Sequence, residues 1–253
     1  MKKFLTTSVF TGLLCCNLPL AAEEEAHWTY SGERGPANWG ALSEDYAACR
    51  VGKNQSPIDI RTDKLLDVRL PPITLDYRGE TTSIVNNGHT LQVNVSGSNT
   101  LTAEGETFEL SQFHFHSPSE HRIDGKAFPL EAHFVHKNSN GDIAVVGLLF
   151  QPGERNPELE VFGEAAPGQV GETAPFAHSL AEKLTMPTRD IRSYYRYSGS
   201  LTTPPCSEGL RWYVIPVAAT ISSEQVDNYI ALIGKDARGP QPINARMVLH
   251  GME

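Results

Sequence analysis

Between Gln112 and Lys137 the chain reads QFHFHSPSEHRIDGKAFPLEAHFVHK, and no other stretch restricts the fold as much. His114, His116, His121, His133 and His136 are five of the chain's nine histidines, and Glu120 and Glu131 lie among them. The opening Gln112-Phe113-His114-Phe115-His116 alternates polar and aromatic residues. In a strand, alternate side chains share a face, so His114 and His116 project to one side and Phe113 and Phe115 to the other. Leu130 to His136 is a second strand-like run. Pro118, Asp124-Gly125 and Pro129 between them are turn signals. Folded back as a hairpin, the second strand brings one more imidazole beside the first two.

The rest of the chain is punctuated in the same way, with 21 glycines and 17 prolines. Asn54 to Ile60 reads as a turn entering a short strand. Ile73–Tyr77, Ser83–Asn86, Leu91–Val95 and Asn99–Thr102 are short runs of β-formers, and Leu91–Val95 alternates cleanly, as a half-buried strand does. Ile143–Phe150 is nearly all apolar and predicts a central strand covered on both faces. Leu210–Val217 returns to strand character. Pro157–Leu184 mixes Glu, Ala and Leu with Gly and Pro and predicts short helices, with Ser179–Leu184 as one helical turn. Ser222-Ser223-Glu224-Gln225 resembles a capping box. Val226, Tyr229, Ile230 and Ile233 follow at helical spacing, which predicts a helix ending at Gly234. With no repeat or linker, 253 residues read as one mainly β domain with minor helices.

The formal charge of −9 provides no basic stripe for phosphates, which argues against a nucleic-acid partner. Lys2-Lys3, the apolar run Phe4–Cys16 and the small residues up to Ala22 read as a secretory signal, too short to span a membrane. Residues 1–22 are expected to be removed, leaving 23–253 as the mature domain. Cys15 and Cys16 leave with the signal. Cys49 and Cys206 then remain, and in an exported protein one pair is most economically a disulfide.

Catalytic zinc takes three protein ligands and keeps a fourth position open. His114 and His116 supply two ligands from one strand face. His133 and His136 compete for the third place. Being three apart, they face opposite sides. Glu131 shares the face of His133, and a carboxylate beside ligating imidazoles is the expected orienting partner. His133 is therefore the better ligand, and Gln112 stands to His114 as Glu131 does to His133. His121 and His136 read as hydrogen-bonded structural residues.

Gln112–His116, Ser119-Glu120-His121, Glu131–His136 and Ser200-Leu201-Thr202-Thr203-Pro204-Pro205 together resemble the α-class carbonic anhydrases. Asn54–Ile60, Asn86-Asn87-Gly88-His89, Glu208 with Trp212, and Gln241–Arg246 extend the resemblance over nearly all of the mature chain. The compact Ser117-Pro118 turn resembles the bacterial, exported branch, which commonly carries a disulfide matching Cys49–Cys206.

The resemblance implies a large, mostly antiparallel twisted sheet. It also implies a zinc enzyme that hydrates CO2 reversibly to bicarbonate and a proton, by a zinc-bound hydroxide. Zinc would sit on His114, His116 and His133. Thr202 would orient the hydroxide and pass its own proton to Glu120. His89 would shuttle protons, and Thr203 would line the site. Val135, Val145, Leu201 and Trp212 would form the apolar wall that holds CO2. On the residues alone, Glu120 reads as a turn charge and His89 as an exposed turn histidine, so the resemblance is what gives them roles.

A periplasmic or secreted location follows from the signal, and a homodimer is left open. Two rival readings are a non-catalytic binding module and a zinc hydrolase. The complete ligand set weighs against the first. The absence of a His-Glu-x-x-His helix weighs against the second.

Overall fold

The structure, a computed structural model, describes residues 26–179 and 189–251. The expected signal peptide lies outside them, as does most of the expected Ser179–Leu184 turn. Sixteen strands follow in chain order: β1 Asp59–Ile60, β2 Leu66–Val68, β3 Ile73–Tyr77, β4 Glu80–Asn86, β5 Leu91–Ser96, β6 Asn99–Ala103, β7 Glu106–His116, β8 Arg122–Ile123, β9 Lys126–Ala127, β10 Leu130–Lys137, β11 Ile143–Pro152, β12 Thr173–Pro175, β13 Arg189–Ile191, β14 Tyr194–Ser200, β15 Glu208–Ile221 and β16 Leu249–Gly251.

Thirteen of them form one sheet with the path β12-β4-β5-β7-β10-β11-β15-β14-β16-β2, to which β3, β6 and β13 attach. The pairs β11–β15 and β16–β2 are parallel and the others in this sheet antiparallel, so the sheet is mixed and mostly antiparallel. A second sheet, β1-β8-β9, has three strands.

The histidine strands β7 and β10 pair antiparallel, with His114 opposite His133 and His116 opposite Glu131. β11 lies between β10 and β15 and feeds both faces. Ala144, Val146, Leu148 and Phe150 join the core behind the sheet, and Val145 and Leu149 join the core on the histidine side. This is the burial that a continuous apolar strand requires.

The pairing of β7 contains a slip that the alternation rule alone does not foresee. Val135 lies opposite Gln112, but His136 lies opposite Leu110, so Ser111 is an extra residue in the ladder. The apolar residues of β7 step by two from Phe108 to Leu110, by three to Phe113, and by two to Phe115. A bulge inserts one residue and changes the phase of the strand. All four therefore reach the same rear core.

Among the described residues, two helices pack behind the sheet. In Pro157–Ala165, the Asn156 side chain accepts from the Glu158 and Leu159 amides. Ser223–Ile233 has the expected capping box, with the Ser222 hydroxyl accepting from the Gln225 amide at 3.3 Å and Gln225 Oε1 from the Ser222 amide at 3.4 Å. It stops at Gly234, where φ is +89° and a side chain would be strained. Cys49 and Cys206 form a disulfide that ties the N-terminal segment to the loop following β14.

Candidate metal centre and active site

The three histidines chosen by strand parity converge. His114, His116 and His133 each offer one nitrogen, and the three lie within 4.8 Å of one another. Their other nitrogens are committed. His114 Nδ1 donates to Gln112 Oε1 at 2.9 Å, His116 Nδ1 to the Asp236 carbonyl at 2.7 Å, and His133 Nε2 to Glu131 Oε1 at 2.9 Å. A ring nitrogen that donates forces the neutral imidazole to keep its lone pair on the other one. The lone pairs available are therefore His114 Nε2, His116 Nε2 and His133 Nδ1. His116 Nε2 is buried and has no hydrogen-bond partner. A buried unpaired nitrogen is costly unless something occupies its lone pair. Burial, then the neighbouring His116 and His133, hold His114 well below its usual pKa and keep it neutral. An uncharged, three-imidazole donor set with these hydrogen bonds fits zinc.

Glu131 is the hub behind the ligands. Its Oε1 accepts from both His133 and His121, the latter at 2.7 Å, and its Oε2 accepts from the Glu120 and His121 amides at 3.0 and 2.9 Å. Burial pushes its pKa up, but His121 and His133 outweigh that and hold the carboxylate well below its usual range. His121 Nε2 accepts from the Tyr197 hydroxyl at 2.6 Å, and the Tyr197 oxygen is 2.9 Å from Ser56 Oγ. Ser56 Oγ accepts from the Ser200 amide, and the Ser56 amide donates to Ser200 Oγ. One chain of hydrogen bonds thus runs from His133 to the residue before Leu201 and Thr202. His121 and His136 are structural, as expected. His136 Nε2 pairs with the Tyr77 hydroxyl at 2.7 Å and its Nδ1 with the Ala144 carbonyl at 3.3 Å, on the opposite face.

Glu120 is not a surface turn charge but is 1% exposed. Its Oε1 accepts from the Arg238 amide at 2.8 Å. Its Oε2 lies 3.7 Å from His116 Nε2 and 3.9 Å from His133 Nδ1. Burial raises its pKa to about 7 against the lowering influence of His133, the Arg238 amide and Thr202. The buried Thr202 is thus brought beside it. Val135, Val145, Leu201 and Trp212 belong to one apolar cluster on the histidine side, and the Trp212 ring is 4.9 Å from that of His133. Thr203 sits in the same loop, its carbonyl accepting from the Cys206 amide at 2.8 Å. His89 is half-buried, and the ring of Trp28 stacks on it at 3.7 Å. Burial, then His27, lowers its pKa.

Sequence reasoning missed four residues around this centre. Asp236, whose carbonyl receives His116, is 120 positions away from it and carries no local signal. Tyr197 and Ser56 are ordinary strand and turn residues until the strands are paired. Gly147 did carry a signal, as a lone glycine inside an apolar strand marks close approach. It pairs with His133, and a Cβ there would come within 2.9 Å of Glu131 Oε1.

Residues 34–251 match the family model of the eukaryotic-type carbonic anhydrases. The chain belongs to that family and is an enzyme of its class, a lyase. It is 46% identical over 231 residues to a carbonic anhydrase of Pectobacterium carotovorum, covering 91% of this chain and 93% of that protein. It matches the α-carbonic anhydrase of Photobacterium profundum with a TM-score of 0.80 and 47% identity, over 88% of this chain and all of that one. It also matches the Thermovibrio ammonificans enzyme, solved with the inhibitor sulfanilamide, with a TM-score of 0.82 and 45% identity over 89% of this chain and all of that one. The family supports CO2 hydration, and no helix among the described residues is long and apolar enough to cross a membrane.

Proposed function

We propose that this chain hydrates CO2 to bicarbonate and a proton, reversibly, with one zinc ion held by His114, His116 and His133. The observation that carries this is the convergence of three imidazole lone pairs, one of them buried and otherwise unpartnered. Zinc in carbonic anhydrases lowers the pKa of its water to about 7, a general property of that class, and so supplies a nucleophile at neutral pH.

The chain's own residues then divide the work. Gln112, the Asp236 carbonyl and Glu131 fix the three imidazoles in one tautomer and one orientation. Glu120 accepts a hydrogen bond from the Thr202 hydroxyl, which leaves the Thr202 oxygen to accept from the attacking oxygen and aim it. Val135, Val145, Leu201 and Trp212 hold apolar CO2 against that oxygen and keep bulk water from competing, with Thr203 beside them. Hydration releases one proton, and His89 carries it to buffer. Burial and His27 lower the pKa of that imidazole, which favours release of the proton to buffer. Export, with residues 1–22 removed, to the periplasm or the medium is part of this proposal. The disulfide and the bacterial relatives support it.

Elemental analysis of purified protein is expected to give one zinc per chain, with fast CO2 hydration that is lost on chelation and restored by zinc. A zinc-free and inactive protein would overturn the proposal.

A further inference from the structure

Behind the sheet, on the face away from the histidines, lies a cavity of about 270 Å³ between the helices Pro157–Ala165 and Ser223–Ile233. Leu91, Phe115, Leu130 and Phe162 form its floor. Phe115 separates it from the metal centre, since it points opposite to His114 and His116 along β7.

The polar groups on its inner walls are already committed. The Tyr229 hydroxyl is 2.7 Å from both the Phe115 carbonyl and Asp236 Oδ2. The Gln225 amide serves both backbone groups of Asn156, at 2.9 and 2.7 Å. The interior therefore offers a guest contact area and no hydrogen bond.

The mouth differs. Arg155 and Glu160 neutralise one another there. Glu164 and Asn228 are exposed at the rim, and their side chains have no hydrogen-bond or ion-pair partner among the described residues. One carboxylate and one amide oxygen at the edge of a closed apolar floor complement a single positive charge on an apolar body.

We infer that this cavity is a second binding site, for a small aromatic or alicyclic amine, with its ring against Phe115 and Phe162 and its ammonium at Glu164 and Asn228. A cavity of this volume falls just below the range that holds drug-sized ligands, so a one- or two-ring guest fits it. The site needs no metal and stands independently of the catalytic proposal.

The test is calorimetric titration of the full chain with 1-naphthylmethylamine, and with 1-naphthylmethanol and 1-naphthylacetate as the neutral and anionic comparators. One equivalent of the amine is expected to bind more tightly than the alcohol, and the acetate most weakly. Binding is expected to be the same with and without a chelator, which separates this cavity from the metal centre. Glu164→Gln should weaken the amine by about two- to five-fold, the worth of one exposed ion pair, and leave the alcohol unchanged. Gly163→Leu places a side chain where a Cβ meets no atom within 4 Å, and should weaken all three ligands. Both positions are exposed, so circular dichroism is expected to show folded variants. Equal binding of amine and acetate, loss of binding on chelation, or two variants that behave like the parent would each overturn the proposal. CO2 hydration measured on the same samples reports on the catalytic reading separately.

Discussion

His133 and His136 show how much one residue's neighbours decide. They are three apart on β10, so one faces the metal centre and the other the rear core. Strand parity was enough to tell them apart. The burial of Glu120 was not legible, because it depends on the amide of Arg238, brought in from 118 positions away. His136 is held neutral by burial, with its pKa lowered to about 4. The unfolded chain takes up that proton near pH 6.5, whereas the folded chain resists until about pH 4. The unfolded state thus binds more protons in this window, and stability must fall as pH falls through it. The loss attributable to His136 is of order 3 kcal/mol at most, from about 2.5 pH units at 1.36 kcal/mol each. Urea midpoints at about pH 7 and about pH 5 should therefore differ less in His136→Gln than in the parent. At His89 the expected effect is kinetic. His89→Ala should slow CO2 hydration by about ten-fold or more in dilute buffer, with partial recovery in imidazole buffer. An unchanged rate in dilute buffer would remove His89 as the shuttle.

Among the elements, those that carry their own signals were readable. β3 and β10 fall on the expected residues, and the helix Ser223–Ile233 begins and ends where its cap and glycine predict. Replacing the cap, as Ser222→Ala, should cost about 1 kcal/mol of stability in a denaturant titration, without loss of activity. Elements held mainly by their partners were not readable. β14 reads Tyr-Tyr-Arg-Tyr-Ser-Gly-Ser, and its place between β15 and β16 makes it a strand. The strands β12, β13 and β16 are three residues each, too short for alternation to register. The parallel pairing of β11 with β15 depends on a crossover whose course no local pattern encodes.

At the scale of the whole molecule, two long-range ties hold the site together. The disulfide joins residues 157 positions apart and anchors the loop that carries Thr202 and Thr203. Reduction should lower stability by about 3–5 kcal/mol on the chain-entropy account. Non-reducing mass spectrometry should find Cys49 joined to Cys206. Free thiols at both positions in protein exported by its own host would contradict the expected oxidising compartment. The second tie is β7 itself, which serves the rear core and the metal centre at once, and the bulge at Ser111 makes that possible. Side chains along a strand behave like a message with a frame of two, and Ser111 is a deliberate frameshift. Upstream of it the frame sends Phe108 and Leu110 rearward, and downstream it sends Phe113 and Phe115 rearward and the two histidines forward. Loss of one residue at this point would keep every amino acid that matters and address half of them to the wrong side of the wall.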